Sequence, residues 1–70
     1  MVPVHSAEEL GHLLRERRRG QGLTLKQVSD HTGFSVRFIS EVERGKPTAE
    51  LQKVIDLAGM LGIDLMAVQR

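Results

Sequence analysis

The chain of 70 residues contains no cysteine, tryptophan or tyrosine and only two phenylalanines. Without cysteine it cannot form disulfide bonds or thiolate metal sites, and thiol redox chemistry is excluded. Because aromatic side chains are so few, the core must be built from Leu, Val, Ile, Met and Ala, a composition that suits packed helices better than a sheet. These absences predict a small all-α domain. Because the chain is short, a single copy is expected to be only marginally stable without a partner subunit.

Long hydrophobic runs are also missing. The longest, such as Leu65–Val68, span only a few residues, whereas a membrane helix needs roughly 18. The first residues, Met1–Ser6, have neither the charged nor the apolar region of a signal peptide. We therefore expect a cytoplasmic protein that does not associate with a membrane.

Residues that could support a metal site or catalysis are sparse. His5, His12 and His31 fall in separate predicted elements without an acidic or second histidine partner at ligand spacing, so we expect surface histidines, no metal and no cofactor. The carboxylates are scattered, no glycine-rich loop follows a strand, and a domain this small offers little pocket. An enzyme is the least favoured class.

Charge is distributed unevenly along the chain, although the net charge is only +1. Between Arg15 and Lys46, eight Lys or Arg residues stand against four acidic residues, a local surplus that the chain ends offset. This pattern predicts a basic face in the middle of the chain. Within it, Arg17–Arg19 fit either a solvated helix terminus or a contact to phosphate.

Capping residues and glycines predict where the helices begin and end. Ser6–Glu9 and Thr24–Gln27 follow the capping-box pattern, in which the first side chain accepts from a backbone N–H three residues on and the last reaches back. The first helix is expected to end at Gly20–Gly22 and the second at Gly33. Ser35 is expected to cap a third helix, which gives a helix, a tight glycine turn and a helix.

Apolar residues at helical spacing predict the buried faces. The stripes are Leu10, Leu13 and Leu14 in the first helix, Phe38, Ile39 and Val42 in the third, and Leu51, Val54, Ile55, Ala58 and Leu61 in the fourth. Gly45–Pro47 is expected to end the third helix, and Thr48 to cap the fourth. After Gly62 the segment Ile63–Arg70 fits either a short helix or a strand, and the pattern leaves both open.

The stretch LTLKQVSDHTGFSVRFISEVERGKPT, residues 23–48, resembles the helix-turn-helix of the lambda-repressor-like (Xre/Cro-C1-type) family. Its caps, turn glycine and packing residues occur where that family has them: Thr24, Val28, Gly33, Ser35, Ile39, Ser40, Glu43 and Gly45. The resemblance covers about Leu10 to Leu61. Two positions depart from it, because Leu25 stands where a phosphate-contacting glutamine is frequent and Ser29 where alanine is usual.

The end of the chain, LQKVIDLAGMLGIDL, is similar to that of the compact HipB-like antitoxins. Those proteins form dimers, repress their own operons and bind a kinase-type toxin, and the end of the chain can pair as a strand across the dimer. The resemblance implies a lambda-repressor-like domain of four to five helices over residues 1–70. Its helix-turn-helix core would lie at about 24–44, and 62–70 would be a dimerisation segment.

The third helix has an outward face that suits DNA. In a helix-turn-helix the start of this helix enters the major groove while the preceding helix lies against the backbone. We expect Val36 to cover a thymine methyl, Arg37 to bind guanine O6 and N7, and Ser40 to bond to several bases. Glu43 is expected to pair structurally with an arginine of the first helix. Phosphate contacts are expected from Thr24, Lys26, Gln27, Ser35, Arg44 and Lys46.

One recognition helix distinguishes only a few base pairs, so selective binding calls for a homodimer on an inverted repeat of double-stranded DNA. The interface candidates, each of which could instead close the monomer core, are Leu57, Met60, Leu65, Met66 and Val68. The leading hypothesis is an autorepressor and antitoxin of a type II toxin-antitoxin system with a HipA-like toxin as partner. The alternative is a protein-interaction module without specific DNA binding.

Overall fold

The computed structural model describes all residues 1–70. It contains four helices, α1 (Ala7–Gly20), α2 (Leu25–Thr32), α3 (Val36–Glu43) and α4 (Leu51–Met60). No strand is present, so the predicted all-α class is confirmed. None of the helices has the length and apolar character of a membrane span.

The start of α1 follows the prediction with one difference. Ser6 Oγ accepts a hydrogen bond of 3.0 Å from the Glu9 N–H. The Glu9 carboxylate, however, accepts from the N–H of His5 at 3.1 Å and not from that of Ser6. Because its donor lies one residue earlier, Glu9 ties the N-terminal segment to the first turn of the helix.

The second helix has the complete capping box that its sequence predicts. Thr24 Oγ1 accepts from the Gln27 N–H at 3.1 Å, and Gln27 Oε1 accepts from the Thr24 N–H at 2.8 Å. The helix ends at Gly33, whose φ of 79° lies in the left-handed region that favours glycine. Both boundaries of α2 therefore agree with the sequence.

The third helix is central to the fold and packs against α1 and α2. It contributes Ile39 and Val42 to the core, while Phe38 packs at the edge with its ring centroid 5.2 Å from that of Phe34. The predicted inner face of α3 is thus confirmed. The buried apolar core consists of Leu14, Val28, Ile39, Val42, Val54, Leu57, Ala58 and Leu61.

The close approach of α1 to α3 depends on Gly11. A Cβ at this position would lie 2.7 Å from the carbonyl oxygen of Glu43 and in steric conflict with that of Val42. Backbone atoms of a packed helix cannot withdraw as a flexible side chain can. Only glycine therefore allows α1 to lie directly against the end of α3.

The fourth helix differs from the prediction at its start and in its buried face. Thr48 as cap is wrong, because the helix begins at Leu51 with Glu50 as an N-cap that makes no side-chain hydrogen bond. Leu51 and Ile55 are exposed, whereas Leu57 is fully buried. Apolar residues lie on both sides of one central row, so periodicity alone did not determine which side turns inward. That central row is Val54, Ala58 and Leu61.

The chain beyond α4 has no regular secondary structure. Helix α4 ends in a Schellman motif, in which the Ile63 N–H donates to the Ala58 carbonyl at 2.8 Å. Residues 63–70 then form no fifth helix. Most of them, with the exception of Ala67 and Gln69, line an open groove together with the N-terminal residues 1–5 and Leu13. Of the two alternatives for this segment, a strand would require a pairing partner.

Candidate nucleic-acid interface

Side-chain hydrogen bonds fix the turn between α2 and α3. Thr32 Oγ1 donates to the Val28 carbonyl at 2.8 Å and accepts from the Phe34 N–H at 3.1 Å. Ser29 Oγ donates to the Phe34 carbonyl at 2.6 Å. Ser29, which departs from the family pattern, thus closes a bond that alanine could not form. The turn holds α3 in a defined position relative to α2.

The outer side of α3 presents the three residues predicted to contact bases. Val36 and Arg37 occupy the first turn, and Arg37 is the more open, with 88% of its side chain exposed. Ser40 lies one turn later and is half-buried. Because residues three and four apart are neighbours on a helix, the three form one continuous surface.

Glu41 lies between two cations of this surface. Its Oε1 is 3.2 Å from Arg37 Nε, and its Oε2 is 2.8 Å from Lys46 Nζ. Lys46 reaches back because Gly45 adopts a φ of 85°, which lets the Lys46 N–H donate to the Glu41 carbonyl at 3.1 Å. The hydrogen bond from Lys46 lowers the pKa of Glu41, so its carboxylate is charged at neutral pH.

Three residues predicted to contact phosphate act as helix caps. Thr24 and Gln27 bond to each other at the start of α2, and Ser35 Oγ accepts from the Phe38 N–H at 3.0 Å at the start of α3. These bonds order the positive ends of two helix dipoles. An anion at either end would meet ordered backbone amides and a favourable field.

Two further phosphate candidates are held only weakly. Lys26 Nζ lies 3.3 Å from Asp30, with 80% and 65% of the two side chains exposed. Arg44 Nε donates to the Ser40 carbonyl at 3.4 Å on the surface. Exposed contacts of this kind contribute little to stability, so both cations can give them up to bind a phosphate.

A buried ion pair anchors the recognition helix to α1, as predicted for Glu43. Arg18 donates through Nε to Glu43 Oε2 at 2.7 Å, through Nη2 to Oε1 at 3.0 Å, and through Nη1 to the Leu23 carbonyl at 2.7 Å. Only 10% and 6% of the two side chains are exposed. The hydrogen bonds to Glu43 raise the pKa of Arg18. Glu43 is therefore unavailable to DNA.

Two of the three arginines at the end of α1 depart from both alternatives that the sequence offered, whereas Arg19 is exposed, as a solvated helix terminus would be. Arg18 is buried in its pair with Glu43, and so is neither solvated nor free for phosphate. Arg17 Nε donates to the Leu61 carbonyl at 2.8 Å, as does Gln21 Nε2. These bonds join the end of α1 to the end of α4. Both contacts are distant in sequence, so helical spacing could not predict them.

The dimer candidates divide into one core residue and four surface residues. Leu57 is 0% exposed in the core of the single chain, so its assignment to an interface is wrong. Its side chain is enclosed by the domain itself and cannot reach a second chain. The remaining candidates are exposed large apolar residues: Met60, Leu65, Met66 and Val68.

Glu41 is the one residue of this surface to which the sequence pattern assigned no contact. A signal was present, because Arg37 and Glu41 are four residues apart in a helix and such pairs attract. The second contact, with Lys46, depends on the turn at Gly45. That contact makes Glu41 a bridge between two elements.

Comparison with known proteins agrees with this geometry. The family described as "Helix-turn-helix domain" matches residues 9–69. An uncharacterized HTH-type transcriptional regulator of Sinorhizobium fredii, y4mF, is 35% identical over 66 residues, which cover 91% of this chain and 87% of the relative. Transcriptional regulator ClgR of Mycobacterium tuberculosis is 38% identical over 63 residues, which cover 87% of this chain and 56% of ClgR.

Solved structures give the same fold. A structure described as a HipB-O4 20mer complex superposes with a TM-score of 0.89, covering 99% of this chain and 97% of that chain at 16% identity. A HipB complex with the O2 20mer has the same TM-score. At this identity the likeness concerns the fold alone. The superposition shows that this chain has the fold of HipB, and the family match and the sequence relatives show that it belongs to the helix-turn-helix transcriptional regulators, a DNA-binding family.

Proposed function

We propose that this protein is a sequence-specific DNA-binding repressor that acts as a homodimer on an inverted-repeat operator, with residues 1–70 forming one domain. The observation that carries the proposal is the exposed first turn of α3. Val36 and Arg37 face solvent there, while the opposite side of the helix is fixed in the core. A helix held in this way can enter the major groove with its first residues against base edges.

The roles of the surface residues follow from their chemistry. Val36 offers an apolar contact to a thymine methyl, Arg37 two donors to guanine, and Ser40 a hydroxyl that suits several bases. The residues proposed to contact phosphate carry no base information, and set the affinity and its salt dependence. They are Thr24, Lys26, Gln27, Ser35, Arg44 and Lys46.

A homodimer would cover the exposed apolar residues at the end of the chain. Leu65, Met66 and Val68 lie in a segment without secondary structure, and Met60 is exposed at the end of α4. Extended segments from two copies, residues 62–70, could pair as strands and bury these side chains together. Two recognition helices would then address half-sites about 34–36 Å apart, or a multiple of that distance.

An antitoxin role within a type II toxin-antitoxin system is the more specific form of the proposal. It is supported by the similarity to HipB in fold over almost the whole of both chains. The toxin would be a HipA-like kinase, neutralised by the dimer while the dimer represses the shared operon. Co-expression with a kinase-type toxin from the same operon tests it, since an antitoxin restores growth and a regulator without that role does not.

The decisive experiment measures binding of the purified chain to DNA from its own promoter and to random DNA across a salt series. We expect binding to weaken as salt rises, because cations on the protein displace counterions from phosphates. Arg37→Ala should lose about 1–3 kcal/mol of selectivity for the promoter, the value of one bidentate pair. Arg15→Ala is the control, because Arg15 is exposed on α1 and has no assigned role.

The outcomes separate the proposal from its alternative. Promoter-selective binding that Arg37→Ala relaxes and Arg15→Ala leaves unchanged supports a repressor whose third helix distinguishes bases. Equal and weak binding to both DNAs, unaffected by Arg37→Ala, contradicts it. That result would favour a protein-interaction module that uses the same fold.

A further inference from the structure

One carboxylate on the proposed DNA surface is bound to two cations at once. Glu41 contacts Arg37 Nε at 3.2 Å and Lys46 Nζ at 2.8 Å, and 22% of its side chain is exposed. The carboxylate of the other exposed pair at this surface, Asp30 with Lys26, is far more open, with 65% of its side chain exposed. Glu41 thus has a defined position in the folded chain, and its contact to each cation is supported by the other.

The atom of Arg37 that approaches Glu41 determines which guanidinium nitrogens remain free to bind a base. The carboxylate lies against the Nε edge, which leaves the two terminal nitrogens available. Those nitrogens form the planar fork that matches guanine O6 and N7. A guanidinium already restrained at Nε loses less conformational freedom when the fork binds.

The charge of Glu41 acts on DNA of every sequence. With Glu41 charged, the three side chains carry a net charge of +1, and without it they would carry +2. A negative charge beside phosphates opposes non-specific binding, which depends almost entirely on electrostatic contact. The carboxylate therefore favours the base-directed use of Arg37 and disfavours the same cations as general phosphate contacts.

We propose that Glu41 is a specificity-determining residue, which orients Arg37 for guanine and weakens binding to non-cognate DNA. This inference rests on the proposed function, since it needs Arg37 to contact a base. It predicts that removing the charge of Glu41 has opposite effects on selectivity and on affinity for random DNA. Selectivity falls while affinity for random DNA rises, a combination that simple loss of folded protein does not produce.

The test uses the full chain and a duplex DNA library of random sequence, with sequencing of the bound fraction. Wild type should prefer guanine at one position of each half-site, and Arg37→Ala should lose that preference. Glu41→Gln should reduce it about five-fold or more, the lower limit for one bidentate pair. The same variant should bind unselected DNA more tightly, with a log–log salt slope steeper by about 0.9 for each additional phosphate that the protein neutralises.

Two matched variants separate charge from position. Asp30→Asn also removes the acidic i,i+4 partner of a surface cation, Lys26, but that cation is assigned to phosphate. It should raise affinity for all sequences without changing the base preference. Glu41→Asp keeps the charge but is one methylene shorter, so it should reduce the guanine preference while leaving binding to random DNA near the wild-type level.

The outcomes are distinct for each claim. A guanine preference in Glu41→Gln equal to that of wild type overturns the role of Glu41 and leaves the proposed function intact. So does a change of base preference caused by Glu41→Gln that also appears in the Arg37→Ala background, because Glu41 would then act through the fold and not through Arg37. Absence of any base preference in wild type, with all variants folded by circular dichroism, overturns the proposed function and this role with it.

Discussion

The buried pair of Arg18 and Glu43 gives a quantitative prediction about stability. In Glu43→Ala the Arg18 guanidinium loses two of its three hydrogen bonds and keeps only the one to the Leu23 carbonyl. With 10% of its side chain exposed, it cannot replace them fully with water. The variant therefore leaves a charge in the interior without its partner.

The expected loss of stability in Glu43→Ala is large relative to the total free energy of unfolding. Removing one member of a buried pair costs about 3–5 kcal/mol, whereas a domain of this length has a free energy of unfolding of about 4–10 kcal/mol. At roughly 4–8 °C per kcal/mol for a small domain, the melting temperature should fall by about 12–40 °C. Glu43→Ala should be partly or largely unfolded at physiological temperature.

Thermal and urea unfolding followed by far-ultraviolet circular dichroism measure this loss. Protein concentration must be held constant, because association would add to the apparent stability. Replacing both partners, as in Arg18→Met with Glu43→Leu, should recover most of the loss, since no charge is then buried alone. Asp30→Ala, which breaks an exposed pair, should cost less than about 1 kcal/mol.

A loss of less than about 1 kcal/mol in Glu43→Ala would refute the reasoning. It would mean that Arg18 reaches water at little cost when Glu43 is absent. The same conclusion would follow if the double replacement were no more stable than Glu43→Ala. In either case α3 would be held against α1 by apolar packing and not by the ion pair.

Two further predictions concern packing and pH. Gly11→Ala should destabilise the domain by about 1–3 kcal/mol in urea unfolding, because the new Cβ meets the backbone of α3. As a control, Gly59→Ala adds a Cβ to α4 where there is open space, and it should stabilise the domain by up to about 1 kcal/mol. Equal changes in unfolding free energy for the two variants would contradict the close approach of α1 to α3. Because Glu41 has a lowered pKa, its contribution to stability is present above the ordinary carboxylate range and is lost as the pH falls through the lower folded-state value. The difference in unfolding free energy between wild type and Glu41→Gln should therefore be largest near neutral pH and vanish in acid, and a constant difference would rule out the ion pairs as its source.

Helix boundaries were predictable wherever the stabilising contact is local. The side chains of Ser6, Thr24 and Ser35 each accept from a backbone N–H three residues away. The sequence around each cap is therefore enough to predict where the helix begins. Gly33 ends α2 for an equally local reason, its left-handed φ. Thr48 failed as a cap because nothing in the sequence distinguishes it from a residue of the preceding turn.

The buried face of α4 and the fate of the arginines required the tertiary structure. Leu57 and Ile55 are both apolar, and only the position of the other helices determines that Leu57 is buried and Ile55 exposed. Arg18 and Arg17 are adjacent and chemically alike, yet one pairs with Glu43 and the other bonds to the end of α4. Neither partner lies within one helical turn in sequence.

The proposed DNA surface also combines features that the sequence determines with one that only the tertiary structure determines. The sequence by itself determined the helical class, the helix-turn-helix and the exposure of Val36 and Arg37, because these follow from caps, glycines and the period of one helix. Only the tertiary structure brought Lys46 to the carboxylate beside Arg37, through the turn at Gly45. Contacts within a turn are fixed by local geometry, whereas a contact across a reversal of the chain depends on where the fold places both partners.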